Sequence, residues 1–258
     1  MKALASHKGN SRYSSLSLCL DGLTSLSDKG AIALGRFVGS ISLNGLTEIS
    51  DNAAAALLGK KGGDLYLNGL TTLADDAAAA LAKRKRGKLY FNGMTTISDN
   101  VAESLAKHGD TLYLNGLTFL SEEAAAALAK HGDTLHLNSL TFLSDEVASA
   151  LAKHDGCLYL RGLTTLSENA ASALTQKAEE LHLDGLTNLS EGVAAALAKH
   201  NDRLCLNGLT TLSDGVAAAL AGHAGERLSL FGLTEMSDVA IAILAQCKFN
   251  LYLSNRWY

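Results

Sequence analysis

The sequence predicts an α/β solenoid, with a parallel β-sheet on a concave face and short Ala-rich helices on a convex one. Three observations lead there. A unit of 23 or 24 residues recurs ten times, opening at Leu18, Ile41, Leu65, Leu89, Leu112, Leu135, Leu158, Leu181, Leu204 and Leu228, with a half-unit at Leu251. Within each unit the first part alternates apolar and polar with a period of two, and the second carries apolar residues at i, i+1 and i+4 in an Ala-rich run. Proline is absent, while 47% of residues are hydrophobic and 19% charged, which excludes a disordered chain. A strand-helix unit this short cannot bury its apolar face alone, so the units stack. The expected organisation is an N-terminal cap or extension over residues 1–17, ten repeats over 18–250, and a half-repeat with a C-terminal cap over 251–258.

Each element has a local reason. The strand carries Leu at its inward positions, as in Leu65-Tyr66-Leu67. A glycine then ends it in nine units, Ser139 being the exception, and a turn tolerant of positive φ accounts for that choice. Thr follows one residue after the next Leu or Met in all ten units. Ser precedes the helix in nine, Ala74 being the exception, and caps it by accepting from a free backbone N–H. Asp or Glu comes next in every unit (Asp28, Asp51, Asp75, Asp99, Glu122, Asp145, Glu168, Glu191, Asp214, Asp238) and complements the positive helix end. A calcium ladder is the other use of such a row, but no DxDxDG loop occurs. In the helix, Leu holds the buried position, with Ala three residues before it in nine units. Lys and His close the helix, as in Lys107-His108 and Lys130-His131. His108, His131, His154, His200 and His223 read as helix-end cations. The tetrad from Lys83 to Arg86 reads as a solvated helix end.

The run LYLNGLTTL, Leu65–Leu73, followed by a helix resembles the leucine-rich repeat superfamily, in its short, helix-bearing bacterial-type form. Ten and a half units carry the resemblance. Two departures stand out. The place where that family sets a ladder-forming Asn holds Leu here, for example Leu70 or Leu117, so the asparagine ladder is expected to be missing and the Thr row to replace it. The Pro-containing repeats of ubiquitin-ligase effectors are not matched. The resemblance implies a binding scaffold for macromolecules rather than an enzyme.

Alternation points a central column of side chains out of the concave face. Six consecutive members carry rings: Tyr66, Tyr90, Tyr113, His136, Tyr159 and His182, over about 24 Å at the usual strand spacing. They suit recognition of a protein partner, since Tyr offers contact area and a polar tip; ring-on-ring stacking that stiffens the sheet is the other use. Arg161 interrupts a neighbouring Asn/Asp column. Phe119 and Phe142 stand at the rim in adjacent units, as a hot spot or covered by neighbouring turns. A glycan or cell-wall polymer is an alternative ligand. A thiol enzyme built on Cys157, with His136, His182 and Glu180 as base and orienter, is a further one, although an open sheet offers no oxyanion hole.

A net charge of −4 supplies no general attraction for nucleic acid or an anionic membrane surface. No apolar run approaches the roughly 20 residues of a membrane-spanning helix. The first residues contain no continuous apolar signal segment, and the four cysteines form no CxxC pair. A cytoplasmic protein with reduced thiols, no metal and no cofactor is expected. Trp257 is expected to cover the last Leu layer near Leu230 and Leu253. Where the caps fall short, a weak end-to-end dimer competes with the monomer.

Overall fold

The computed structural model describes residues 16–58, 62–84 and 86–254. Most of the expected N-terminal cap, and Trp257, lie outside the described residues. The chain divides into two compact units, Met1–Leu117 and Thr118–Tyr258.

In the first unit the strands are β1 (Ser17–Cys19), β2 (Gly39–Ser42), β3 (Gly62–Tyr66), β4 (Leu89–Tyr90) and β5 (Leu112–Tyr113). They alternate with α1 (Asp28–Leu34), α2 (Asp51–Ala56), α3 (Asp75–Leu81) and α4 (Asp99–Leu105). The strands pair in parallel, in chain order, and the register matches repeat to repeat: Leu18 faces Ile41, Ile41 faces Leu65, Leu65 faces Leu89 and Leu89 faces Leu112.

The second unit continues with α5 (Glu122–Leu128), β6 (Leu135–His136), α6 (Asp145–Leu151), β7 (Leu158–Tyr159), α7 (Glu168–Leu174), β8 (Glu180–His182), α8 (Glu191–Leu197), β9 (Arg203–Cys205), β10 (Thr211–Leu212), α9 (Asp214–Ala221), β11 (Arg227–Leu230), β12 (Glu235–Met236), α10 (Asp238–Leu244) and β13 (Asn250–Leu253). Its main sheet runs β6-β7-β8-β9-β11-β13, again parallel and in register. A two-stranded rim sheet, β10 with β12, lies beyond the turns.

The core forms where the Leu pattern places it. In one repeat Leu135, Leu137, Leu140 and Leu151 are all buried, with Ala148 against them. Complete burial of a Leu is worth roughly 1.5–3 kcal/mol, and the small Ala lets successive helices approach. Ser caps every described helix except α3, whose cap residue Ala74 has no side-chain acceptor.

Four local readings need correction. Among the described residues, positive φ occurs only at Gly39 and Gly87, neither a post-strand turn glycine. Those turn glycines answer to close approach instead: a Cβ on Gly45 would lie 2.2 Å from the Asp21 carbonyl oxygen of the preceding repeat. At Gly22, in the first repeat, the same position is open. Second, the asparagine ladder is present, shifted two residues toward the strand. The Asn68 N–H donates to Asn44 Oδ1 at 3.0 Å, Asn92 N–H to Asn68 Oδ1 at 3.1 Å, and Asn115 N–H to Asn92 Oδ1 at 2.9 Å. The same bond joins Asn207 to Asp184 and Phe231 to Asn207. Thr adds to it at the rim, the Thr164 and Thr234 hydroxyls donating to the carbonyls of Thr141 and Thr210.

Third, the helices end before Lys107 and its equivalents, so no basic residue lies in a last helical turn. Fourth, the His column is buried rather than solvated. His108 Nε2 lies 3.0 Å from the Gly87 carbonyl, and His223 Nε2 lies 3.2 Å from the carbonyls of both Asp202 and Arg227. Burial pushes His108, His154, His200 and His223 below the ordinary imidazole value. They are neutral, and His108, His154 and His223 bond backbone carbonyls, the opposite of helix-end cations. Arg84, in the same column, is likewise buried, donating to the carbonyls of Leu57 and Gly63.

The helix-side carboxylates do more than face a dipole. Asp28 accepts from Ser50 Oγ at 2.7 Å and from Asn52 Nδ2 at 3.1 Å in the next repeat, and Asp75 and Asp145 bond the corresponding Ser and Asn. They tie consecutive caps together, and their oxygens are occupied by donors rather than turned toward an ion.

Candidate functional sheet faces and aromatic rim

Parallel in-register pairing repeats the outward residue at the strand spacing, and the rings lean into face-to-face contact. In the first unit Tyr66 and Tyr90 stack at 4.2 Å with planes 18° apart, and Tyr90 and Tyr113 at 4.1 Å and 7°. Burial, together with hydrogen bonds to Tyr66 and Tyr113, pushes the Tyr90 phenol far above its ordinary range. Tyr90 stays protonated, and Lys88 Nζ lies 6.0 Å from the centre of Tyr113. The rings' faces are used on one another, leaving edges and hydroxyls outward.

In the second unit His136 stacks on Tyr159 at 4.1 Å and Tyr159 on His182 at 3.9 Å. Here the stack joins a charge cluster. His182 is buried, its Nε2 3.1 Å from Glu180 Oε2 and its Nδ1 3.8 Å from Asp184 Oδ2. Burial alone would depress its pKa, but hydrogen bonds to Asp184, Cys205 and Glu180 more than offset that and raise it to about 9. Arg161 Nε contacts Asp184 Oδ2 at 2.9 Å while its guanidinium lies 4.9 Å from the Tyr159 ring centre, a cation–π distance. Arg203 reaches Glu180 at 3.5 Å. Burial opposes ionisation of Asp184, yet contacts with His182, the Asn207 N–H and Arg161 hold its carboxyl below the usual range.

Sequence reasoning picked out Arg161 and His182 separately and missed the cluster. Its signal was available: Glu180, His182 and Asp184 alternate on one face, with Arg161 and Arg203 in the flanking repeats.

Phe119 and Phe142 are not covered by neighbouring turns. They are 65% and 67% exposed, and with Thr118, Leu120, Leu140, Thr141, Leu143, Ser144 and Val147 they bound a groove of about 140 Å³. Its floor is Leu, its walls are the two rings, and it belongs wholly to the second unit.

Cys157 does not carry the features of a nucleophile. Burial, and then Glu180, push its thiol upward toward the protonated form, whereas attack requires a thiolate. Among the described residues no three His, Cys, Asp or Glu side chains gather as a metal site, and no described helix is long and apolar enough to cross a membrane.

No protein-family model and no curated protein matches the chain. Solved structures do. A chain in the Toll–Spatzle complex of Drosophila aligns over 84% of this chain and 36% of its own length, with a TM-score of 0.52 at 15% identity. An internalin of Listeria monocytogenes aligns over 88% of this chain and 70% of its own, with a TM-score of 0.49 at 17% identity. A leucine-rich repeat protein of Leptospira interrogans aligns over 93% and 83%, with a TM-score of 0.40 at 17% identity. This chain thus spans about a third of the Toll-complex chain. Its parallel strands, alternating helices and Leu layers make it a leucine-rich repeat solenoid. At these identities the likeness concerns the fold.

Proposed function

We propose that the chain is a non-catalytic interaction module that binds a protein partner through its ring-bearing sheet faces and the Phe119/Phe142 rim. The exposed phenylalanine pair carries the reading. Two large apolar side chains in successive repeats, held open over a Leu-floored groove, cost solubility without contributing to the core. Such a pair is useful when a partner covers it. His136, Tyr159, His182 and Arg161 supply polar and cationic contacts in the same unit, and Tyr66, Tyr90 and Tyr113 offer a row of hydroxyls in the first. The glycan alternative loses its main support because a sugar needs a free ring face, and these faces are stacked on one another. A cytoplasmic setting, where the four free cysteines stay reduced, belongs to the proposal.

Site-specific photo-crosslinking tests it. A photoreactive residue at Phe142 or Tyr159 should trap one protein of defined size, and the same residue at exposed Ser172 on α7 should not. Equal trapping at all three positions would contradict the assigned faces.

A further inference from the structure

We infer that the Phe119/Phe142 groove takes a basic, apolar-centred peptide segment of the partner: one large apolar side chain between the two rings, flanked by Lys or Arg. The inference deepens the interaction-module reading and rests on it.

Shape selects the central residue. The floor of Leu120, Leu140 and Leu143 is already buried, so the unfilled space lies between exposed rings. A volume of about 140 Å³ is close to the ~150 Å³ that holds a benzene-sized group. One aromatic, Leu or Met side chain fits.

Charge selects the flanks. Asp145 and Glu146 stand in the chain between two lining residues, Ser144 and Val147, and Glu122 and Glu123 follow Leu120 by two and three residues. Asp145 is occupied by Ser167 and Asn169 of the next repeat. Glu122, Glu123 and Glu146 are exposed. No Lys or Arg occurs between Lys107 and Lys130, nor between Lys130 and Lys153. Lys130 and Lys153 follow the far ends of α5 and α6, about 12 Å along the helix from the groove side. The groove mouth is therefore negative on one side: no Lys or Arg lines it, and the guanidinium of the following repeat, Arg161, is engaged by Asp184. An acidic segment would meet repulsion there, and a neutral one would leave three carboxylates unused. These carboxylates are solvated, so they direct partner choice and encounter rate, while the buried apolar residue supplies the hold.

A displayed library of random peptides, selected on the full chain and counter-selected on the double variant F119S/F142S, tests this. Enriched sequences should centre on Phe, Trp, Leu or Met with Lys or Arg on both sides. A synthetic copy should bind at least tenfold more weakly to F119S/F142S and severalfold more weakly to E122Q/E123Q/E146Q, and should weaken as salt rises. Both variants change exposed side chains, and an unchanged melting curve verifies their fold. Enrichment of acidic or uncharged peptides overturns the inference, as does enrichment indifferent to the Phe pair or no enrichment at all. If no such peptide emerges while partner crosslinking at Tyr159 persists, the interaction-module reading stands and this assignment fails.

Discussion

The three-ring stacks of the two units share a backbone plan and differ in chemistry. Tyr66, Tyr90 and Tyr113 are identical phenols flanked by the Asn68, Asn92 and Asn115 ladder, and burial between its neighbours holds Tyr90 neutral. His136, Tyr159 and His182 keep the same ring spacing, but the ladder is broken where Arg161, which has no acceptor, replaces Asn. Around that break gather Glu180, Asp184 and Arg203. The difference shows that ring stacking is a property of the repeat, available wherever the central column carries rings. Whether a stack also presents charge is decided by the columns beside it. Stiffening and recognition are thus not exclusive readings: the first stack is chiefly a polar edge, and the second is a charged one on the same scaffold.

The largest expected effect leaves this contrast unchanged. Leu81→Ala in the first unit and Leu128→Ala in the second each remove a fully buried helical Leu, and each should cost about 2–5 kcal/mol in chemical denaturation. A loss below about 1 kcal/mol in either would contradict the common core.

The next effect separates the units. A histidine raised from the ordinary 6.5 to about 9 stabilises the fold fully below about pH 6.5 and loses that contribution as pH rises through 9. At about 1.4 kcal/mol per pH unit the contribution is on the order of 3 kcal/mol. His182→Gln should therefore flatten the stability decline between pH 7 and 10, while Tyr90→Phe should leave it in place. An identical alkaline slope in wild type and His182→Gln would remove the charged imidazolium from the account.

Acid acts with the opposite sign. The depressed pKa values of His108 in the first unit and of His154, His200 and His223 in the second mean that unfolding takes up protons. Stability should fall as pH drops below about 6.5. Amide exchange at pH 5 should show protection lost more in the second unit, which holds three of these four. Uniform protection at both pH values would contradict buried neutral histidines. A smaller effect belongs to the ladder: Asn92→Ala deprives the Asn115 N–H of its acceptor and should cost about 1–2 kcal/mol. Arg161→Ala, whose side chain is half exposed, should cost under about 1 kcal/mol of stability.

The repeat frame was legible because period two and helical period are written ten times over, and Ser with Asp or Glu marks each helix start. What escaped were contacts between repeats. Gly45 looks like a turn residue in its own unit; only the neighbouring Asp21 carbonyl reveals why it lacks a side chain. His108 follows exposed Lys107 just past the end of α4, where helical periodicity no longer says which way a side chain faces. The asparagine row does not explain itself within one unit either, because its acceptors serve the next repeat, 23 or 24 residues away. For the site, the ring column and the Phe pair were visible from alternation, while the His182 cluster needed three repeats laid side by side.

The central claim is that the exposed Phe pair is a partner-binding surface and not a packing feature. It is tested most directly by measuring, for F119S/F142S, both affinity for the crosslinked partner and unfolding free energy. The account predicts binding at least tenfold weaker with stability within about 0.5 kcal/mol of wild type. Unchanged affinity, or affinity and stability lost together, would contradict it.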